Sequence, residues 1–216
     1  MSKLVNLTVN RFIMGTVVAP RAKKEKTSKI PDCLIYEIVK GRPVYYKGYK
    51  DVLNGTKTLE ELKMESILQS WLKARITMIL GAAMLEKGFE MTTGELGLNL
   101  PEQNKRGADI SFFRSEELEL KESFSDLSPE IIIEIDVKAD TGKHSEMEYV
   151  LEKIEDYQDF GVQKIIWIFT KTQNIIIADS SRPRITENWD KDVEVVESIS
   201  FNLNKILGER KSALSK

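Results

Sequence analysis

The sequence predicts an α/β fold, a mixed β-sheet flanked by helices with an N-terminal β-hairpin, on three observations. Residues 129–138, Pro-Glu-Ile-Ile-Ile-Glu-Ile-Asp-Val-Lys, alternate over their second half. Ile131, Ile133, Ile135 and Val137 take one side; Glu134, Asp136 and Lys138 take the other. Two segments with apolar residues at helical spacing each open on a capping box and close on a glycine. Strand, helix and strand follow one another across residues 131–169, an order that calls for a parallel pair and a crossover.

Composition narrows the class. The chain has 216 residues, 41% hydrophobic and 31% charged, enough for one sizeable globular domain. A formal net charge of −2 supplies no global field for nucleic acid, so any such binding must come from local patches. The single cysteine, Cys33, excludes an internal disulfide, and the single histidine, His144, excludes His-rich metal sites. No apolar run approaches the length of a membrane span, and the first residues lack a signal peptide's apolar core, so the expected location is cytoplasmic with no membrane partner.

In chain order, residues 1–30 read as an arm, with five basic residues against one acid in the stretch 21–29. The main domain is expected over 31–208. Cys33 to Val39 and Val44 to Tyr46 form a hairpin around the turn at Lys40-Gly41-Arg42-Pro43, and Cys33 fills a small core position. Thr58 caps one long helix, with Glu61 completing the box, that runs to Lys87-Gly88. Strands follow at Phe89–Thr93, Leu96–Leu100 and Arg106–Phe113, then a charged surface loop at 115–128 and the alternating strand to Lys138. A second helix begins at Ser145 and ends at Gly161; Lys164 to Phe169 is a buried strand that pairs with Asn174 to Ala178. Residues 180–192 read as polar loop, 193–207 as a strand and a short helix, and 209–216 as a frayed tail.

The chemistry concentrates on the alternating strand. If the strand holding Asp109 lies beside it, the Asp109 carboxylate approaches Glu134 and Asp136. Three carboxylates make a hard, oxygen-only site suited to Mg²⁺ or Mn²⁺ rather than zinc. Such an ion polarises a phosphoryl oxygen and lowers the pKa of a water, while a nearby lysine, Lys138 here, neutralises charge on phosphorus. The plainer alternative is a surface-facing strand whose Glu-Asp-Lys row makes cross-strand ion pairs.

Asp109, then Glu134 and Asp136-Val137-Lys138, resembles the signature of the PD-(D/E)xK nuclease superfamily, with Ala108 in place of its leading proline. A closer likeness is to its Uma2-type (DUF820), restriction-endonuclease-like branch, common in cyanobacteria. Tyr36 to Gly41, Ala108-Asp109-Ile110, Pro129 to Ile135, Lys153-x-x-x-Tyr157, Gly161-Val162 and Ile166-Trp167-Ile168 carry it, over about two-thirds of the chain. The resemblance implies a restriction-endonuclease-like fold and a metal-dependent endonuclease acting on DNA, with Asp109 and Glu134 as metal ligands. It leaves two registers open. In one, Asp136 is the second acid and Lys138 the catalytic lysine; in the other, Glu134 is the second acid and Lys153, from the helix, stands in for the strand lysine. Glu65, on the first helix, is a candidate further acid by the same resemblance, and a homodimer is the implied assembly.

Lys105, Arg106 and Lys143 are candidate phosphate contacts. No interleaving of aromatic and basic residues points to single-strand stacking, and no helix-turn-helix pattern points to base reading. Two other readings stay open. One is a weakly active or inactive nuclease-fold protein that works as a DNA- or protein-binding or assembly module, with a partner from a mobile-element or defence system. The other is an RNA or junction nuclease.

Overall fold

A computed structural model describes residues 29–142 and 144–214, with side chains through Arg210. The arm at 1–28 and the candidate Lys143 lie outside the described residues. One eight-stranded mixed sheet carries the fold, its strands lying in the order Arg42–Tyr45, Ile35–Val39, Asn104–Arg114, Ile131–Ile135, Lys164–Phe169, Asn174–Asp179 and Arg182–Asn188, with Phe89–Leu100 also paired to Asn104–Arg114. The hairpin of β1 (Ile35–Val39) and β2 (Arg42–Tyr45) turns at Lys40 and Gly41, with φ of 49° and 71°. That left-handed pair matches the twist of the strands it joins. β3 (Phe89–Leu100) and β4 (Asn104–Arg114) form a long antiparallel ribbon. β5 (Ile131–Ile135) runs antiparallel to β4 and parallel to β6 (Lys164–Phe169). β7 (Asn174–Asp179) and β8 (Arg182–Asn188) complete the sheet.

Helices close both faces. α4 (Glu146–Phe160) makes the β5-to-β6 crossover; Ser145 and Glu148 form its capping box and Gly161, at φ 114°, ends it. Its Val150, Ile154 and Tyr157 pack on Ile132, Ile165 and Trp167. On the opposite face, α3 (Ile67–Glu86) buries Leu72, Ile76, Leu80 and Met84 against Ile110, Phe112, Ile131 and Ile133. The small hairpin of β9 (Val193–Val196) and β10 (Ile199–Phe201), with α5 (Leu203–Leu214), extends that core. Among the described residues no helix is long and apolar enough to cross a membrane.

Several expectations are corrected. The long helix from Thr58 is two: α2 (Leu59–Lys63), capped by Thr58 and Glu61, and α3, capped by Ser66 and Gln69. A second capping box inside the apolar run restarts the helix and leaves Glu65 in the break. A short helix α1 (Tyr49–Leu53) precedes them. Residues 89–100 form one strand with a bulge at Gly94-Glu95, not two strands. The supposed loop at 180–192 contains β8, a polar edge strand whose Arg182 and Pro183 discourage further pairing. Helix α5 runs to Leu214, past the point at 209 where the sequence suggests fraying. Cys33 is exposed, not a core residue.

The most consequential correction concerns the alternating strand. It ends at Ile135, because Asp136 adopts φ 61° and its carboxylate accepts hydrogen bonds from Thr170 N and Oγ1, each at 2.7 Å. Alternation is lost there: Val137 packs with the α4 side, whereas Ile131, Ile133 and Ile135 belong to the α3 side.

Candidate active site

Strand β4 gives one edge wholly to β3 and divides the other. Its residues 110–112 pair with β5, while Lys105 pairs with Ile38 of β1. Between these partners the edge forks, and side chains take up the backbone groups that no strand reaches. The Asp109 carboxylate accepts from Ile135 N at 2.9 Å, Glu37 accepts from Gly107 N at 3.0 Å, and Tyr157 donates to Gly107 O at 2.6 Å.

On one side of the fork lies a partly open cluster. One carboxylate oxygen from each of Glu65, Glu95 and Asp109 falls within 4.8 Å of the others. Glu65 comes from the α2–α3 break. Glu95 comes from the β3 bulge, where it holds φ 64° after Gly94 at 95°, a distortion that re-aims its side chain. Lys138 Nζ donates to all three acids, at 2.6 Å to Glu65, 2.5 Å to Glu95 and 3.2 Å to Asp109. Lys73 of α3 donates to Asp109 at 3.0 Å and also to Glu65. Burial by itself would raise the Asp109 and Glu65 carboxyls, but the two ammonium groups hold both below their ordinary values. Burial likewise disfavours the Lys138 cation, yet Asp109, Glu65 and Glu95 raise its pKa above normal. The oxygen-only donor set fits a hard divalent ion such as Mg²⁺ or Mn²⁺.

On the other side, under α4, lies a closed network. Glu37, buried, accepts from Arg106 at 2.9 Å, Tyr149 at 2.5 Å and Lys153 at 2.8 Å. Arg106 also donates to Asp156. Lys153 sits 3.0 Å from Glu134, which accepts from Tyr157 at 2.6 Å. Burial costs the Glu37 carboxylate, but Lys153 and Arg106 outweigh it and its pKa falls. Glu134 is less well compensated: burial, with Asp109 adding to it, raises its carboxyl to about 7 despite Lys153 and Tyr157. Lys153 stays protonated, since Glu134 and Glu37 outweigh the loss of solvent.

Of the predicted site residues, Asp109, Lys138 and Glu65 therefore meet in the open cluster, while Glu134 and Lys153 belong to the closed network behind it. Asp136 joins neither; its turned backbone aims it at Thr170. Arg106 is fully buried between Glu37 and Asp156, which removes it as a phosphate contact, whereas Lys105 is exposed. Sequence reasoning missed Glu95, Lys73 and Glu37. Two carried signals: a glycine inside a strand flags the bulge before Glu95, and Lys73 interrupts the apolar face of α3.

Comparison with known proteins gives the arrangement its relatives. No curated protein matches the chain. Among solved structures, a chain from Anabaena variabilis ATCC 29413, described as a "putative nuclease belonging to DUF820", matches with a TM-score of 0.56 at 14% identity, covering 80% of this chain and 89% of that one. At that identity the likeness shows the fold. The sequence profile of Uma2, described as "Putative restriction endonuclease", matches residues 55–202. That span takes in Glu65, Lys73, Glu95, Asp109, Glu134, Lys138 and Lys153, and the chain belongs to the Uma2 family.

Proposed function

We propose that this protein is a metal-dependent endonuclease that hydrolyses phosphodiester bonds in DNA, built on residues 31–208 with the N-terminal segment as an appended arm. The observation that carries the reading is the convergence of Asp109, Glu65 and Glu95, with Lys138 bonded to all three. These acids would hold Mg²⁺ or Mn²⁺, which supplies Lewis acidity toward a phosphoryl oxygen and an attacking water. Lys138 is the lysine at hand to offset negative charge growing on phosphorus, and Lys73 fixes Asp109 from the helix side. Lys153 serves a different purpose, neutralising Glu37 and Glu134 and so holding β1 and β5 to α4. Glu134, behind Asp109, sets the electrostatic background of the cluster instead of taking the ion. DNA and a homodimer acting on its two strands follow from the family reading.

The test is nicking of supercoiled plasmid with Mg²⁺ or Mn²⁺, together with calorimetric titration of Mn²⁺. Wild type should nick and bind Mn²⁺; Glu95→Gln should weaken Mn²⁺ binding ~10-fold or more, as loss of one charged ligand from a three-acid site. Unchanged Mn²⁺ affinity in that variant would remove Glu95 from the ligand set.

A specific observation favours a second reading. Lys138 and Lys73 already pair with the three acids and offset two of their three charges, as a divalent ion would. A protein that kept this arrangement as structure alone would be an inactive DNA- or protein-binding module. Nucleic acid binding without Mn²⁺ uptake or nicking would select it.

A further inference from the structure

Next to the carboxylate cluster a trough opens, lined by Tyr36, Tyr46, Glu95, Gly97, Lys105 and Phe124. Phe124 is 52% exposed, an expensive place for a phenyl ring, and it is firmly built in. Its ring lies against the backbone of Gly97, so close that a Cβ there would stand 2.5 Å from it. Ser125 N donates to Gly97 O at 2.9 Å, Asn99 N donates to Ser125 O at 2.9 Å, and Asn99 Nδ2 donates to Asp126 at 3.0 Å, stitching the segment to β3. Along the trough, the Tyr36 and Tyr46 rings meet at 5.0 Å. Two cations flank these rings: Lys105 Nζ lies 6.0 Å from the Phe124 centroid and Lys63 Nζ 5.8 Å from that of Tyr46. Glu95 belongs to both the trough and the acid cluster.

A fixed, half-bare Phe124 ring with Lys105 beside it, in a trough whose Tyr46 carries Lys63, suits an unpaired nucleotide. The base stacks on the ring and adjacent phosphates meet the cations. A base inside a duplex presents no free face, so the trough selects against intact double helix. We propose that it is a subsite for an unpaired nucleotide, with the base on Phe124 and the flanking phosphates on Lys105 and Lys63, leading the strand to the carboxylates. The inference rests on the nuclease reading and narrows its substrate to nucleic acid with single-stranded character. Since the chain's net charge is −2, phosphate attraction at the trough must come from local cations such as Lys105 and Lys63.

The experiment is fluorescence anisotropy in EDTA with labelled oligo-dT, oligo-rU and a blunt duplex, run beside Mn²⁺-dependent cleavage of the same oligonucleotides and nicking of plasmid. Wild type should bind a single strand more tightly than the duplex, and the dT and rU arms decide between DNA and RNA as its source. Phe124→Ala should lose ~10-fold or more of single-strand affinity and less than about 2-fold for the duplex, while Phe124→Tyr keeps both. Gly97→Ala, whose methyl collides with the ring, should displace it and reproduce the Phe124→Ala loss. Lys105→Ala should weaken both ligands and lower the salt slope by about one. No loss in Phe124→Ala, or an equal loss for both ligands, overturns the subsite. If that result comes with intact nicking, the subsite falls and the nuclease reading stands. Selective loss of single-strand binding, with no cleavage of plasmid or oligonucleotide by wild type, upholds the subsite and sinks the nuclease reading; no nucleic acid binding at all overturns both.

Discussion

The two sides of the β4 fork hold similar residues and use them in opposite ways. Each gathers acidic and basic side chains from several elements, yet the cluster of Asp109, Glu65, Glu95, Lys73 and Lys138 is open to solvent at its rim. The network of Glu37, Arg106, Asp156, Lys153 and Glu134 is closed beneath α4 and studded with tyrosines. The difference teaches how to tell an ionic core from a site. Arg106 forks between Glu37 and Asp156, and tyrosine hydroxyls complete Glu37 and Glu134; each carboxylate there has a cation and lies on or under α4, and Glu134, the least compensated, has its carboxyl raised. In the open cluster Lys138 bridges all three acids and Lys73 is shared by two of them, so three carboxylates crowd within reach of one another where solvent can enter.

Substitutions can break this contrast, the strongest first. Asp109→Asn should cut plasmid nicking ~10³-fold, several kcal/mol of barrier, while urea unfolding changes comparatively little. A large stability loss with parallel loss of binding would erase the distinction between the two sides. Arg106→Met should do the reverse, costing about 3–5 kcal/mol in urea unfolding because the half-buried Asp156 loses its cation and the buried Glu37 keeps only Lys153.

A pH series sharpens the closed side further. Glu134 has a folded pKa raised from 4.5 to about 7, so the unfolded chain gives up this proton first. Stability from this group is therefore greatest below pH 4.5 and falls as pH rises through about 7, by a few kcal/mol. Glu134→Gln should flatten that slope when unfolding is followed between about pH 5 and pH 8, and an unaltered slope would refute the assignment. The smallest effect belongs to Asp136→Asn, which should cost about 1 kcal/mol through weaker bonds to Thr170 and leave nicking unchanged.

Much of the fold was legible in the residues. The Ile131–Ile135 strand, the Ser145 box, the glycine that ends α4 and the crossover they imply follow from local pattern, and Asp109 beside the strand follows from strand order. What escaped was set by backbone irregularity and by distance along the chain. Asp136 reads as a strand residue until Thr170, 34 positions later, stabilises its left-handed turn. Glu95 reads as a turn residue until the bulge aims it inward. Two capping boxes in tandem gave the first helix its break, and only the second explains why Glu65 reaches the site. The trough was illegible for the same reason: Tyr36, Tyr46, Lys63, Lys105 and Phe124 interleave in space and nowhere in sequence.

The fork also turns two amides into gauges. Ile135 N–H is bound by the Asp109 carboxylate and Gly107 N–H by that of Glu37, whereas their neighbours along the strands are bound by backbone carbonyls. Their hydrogen-exchange rates should follow the charge and occupancy of those two acids, one amide for the open side and one for the closed. Two peptide groups thus report on the chemistry without a label or a substrate.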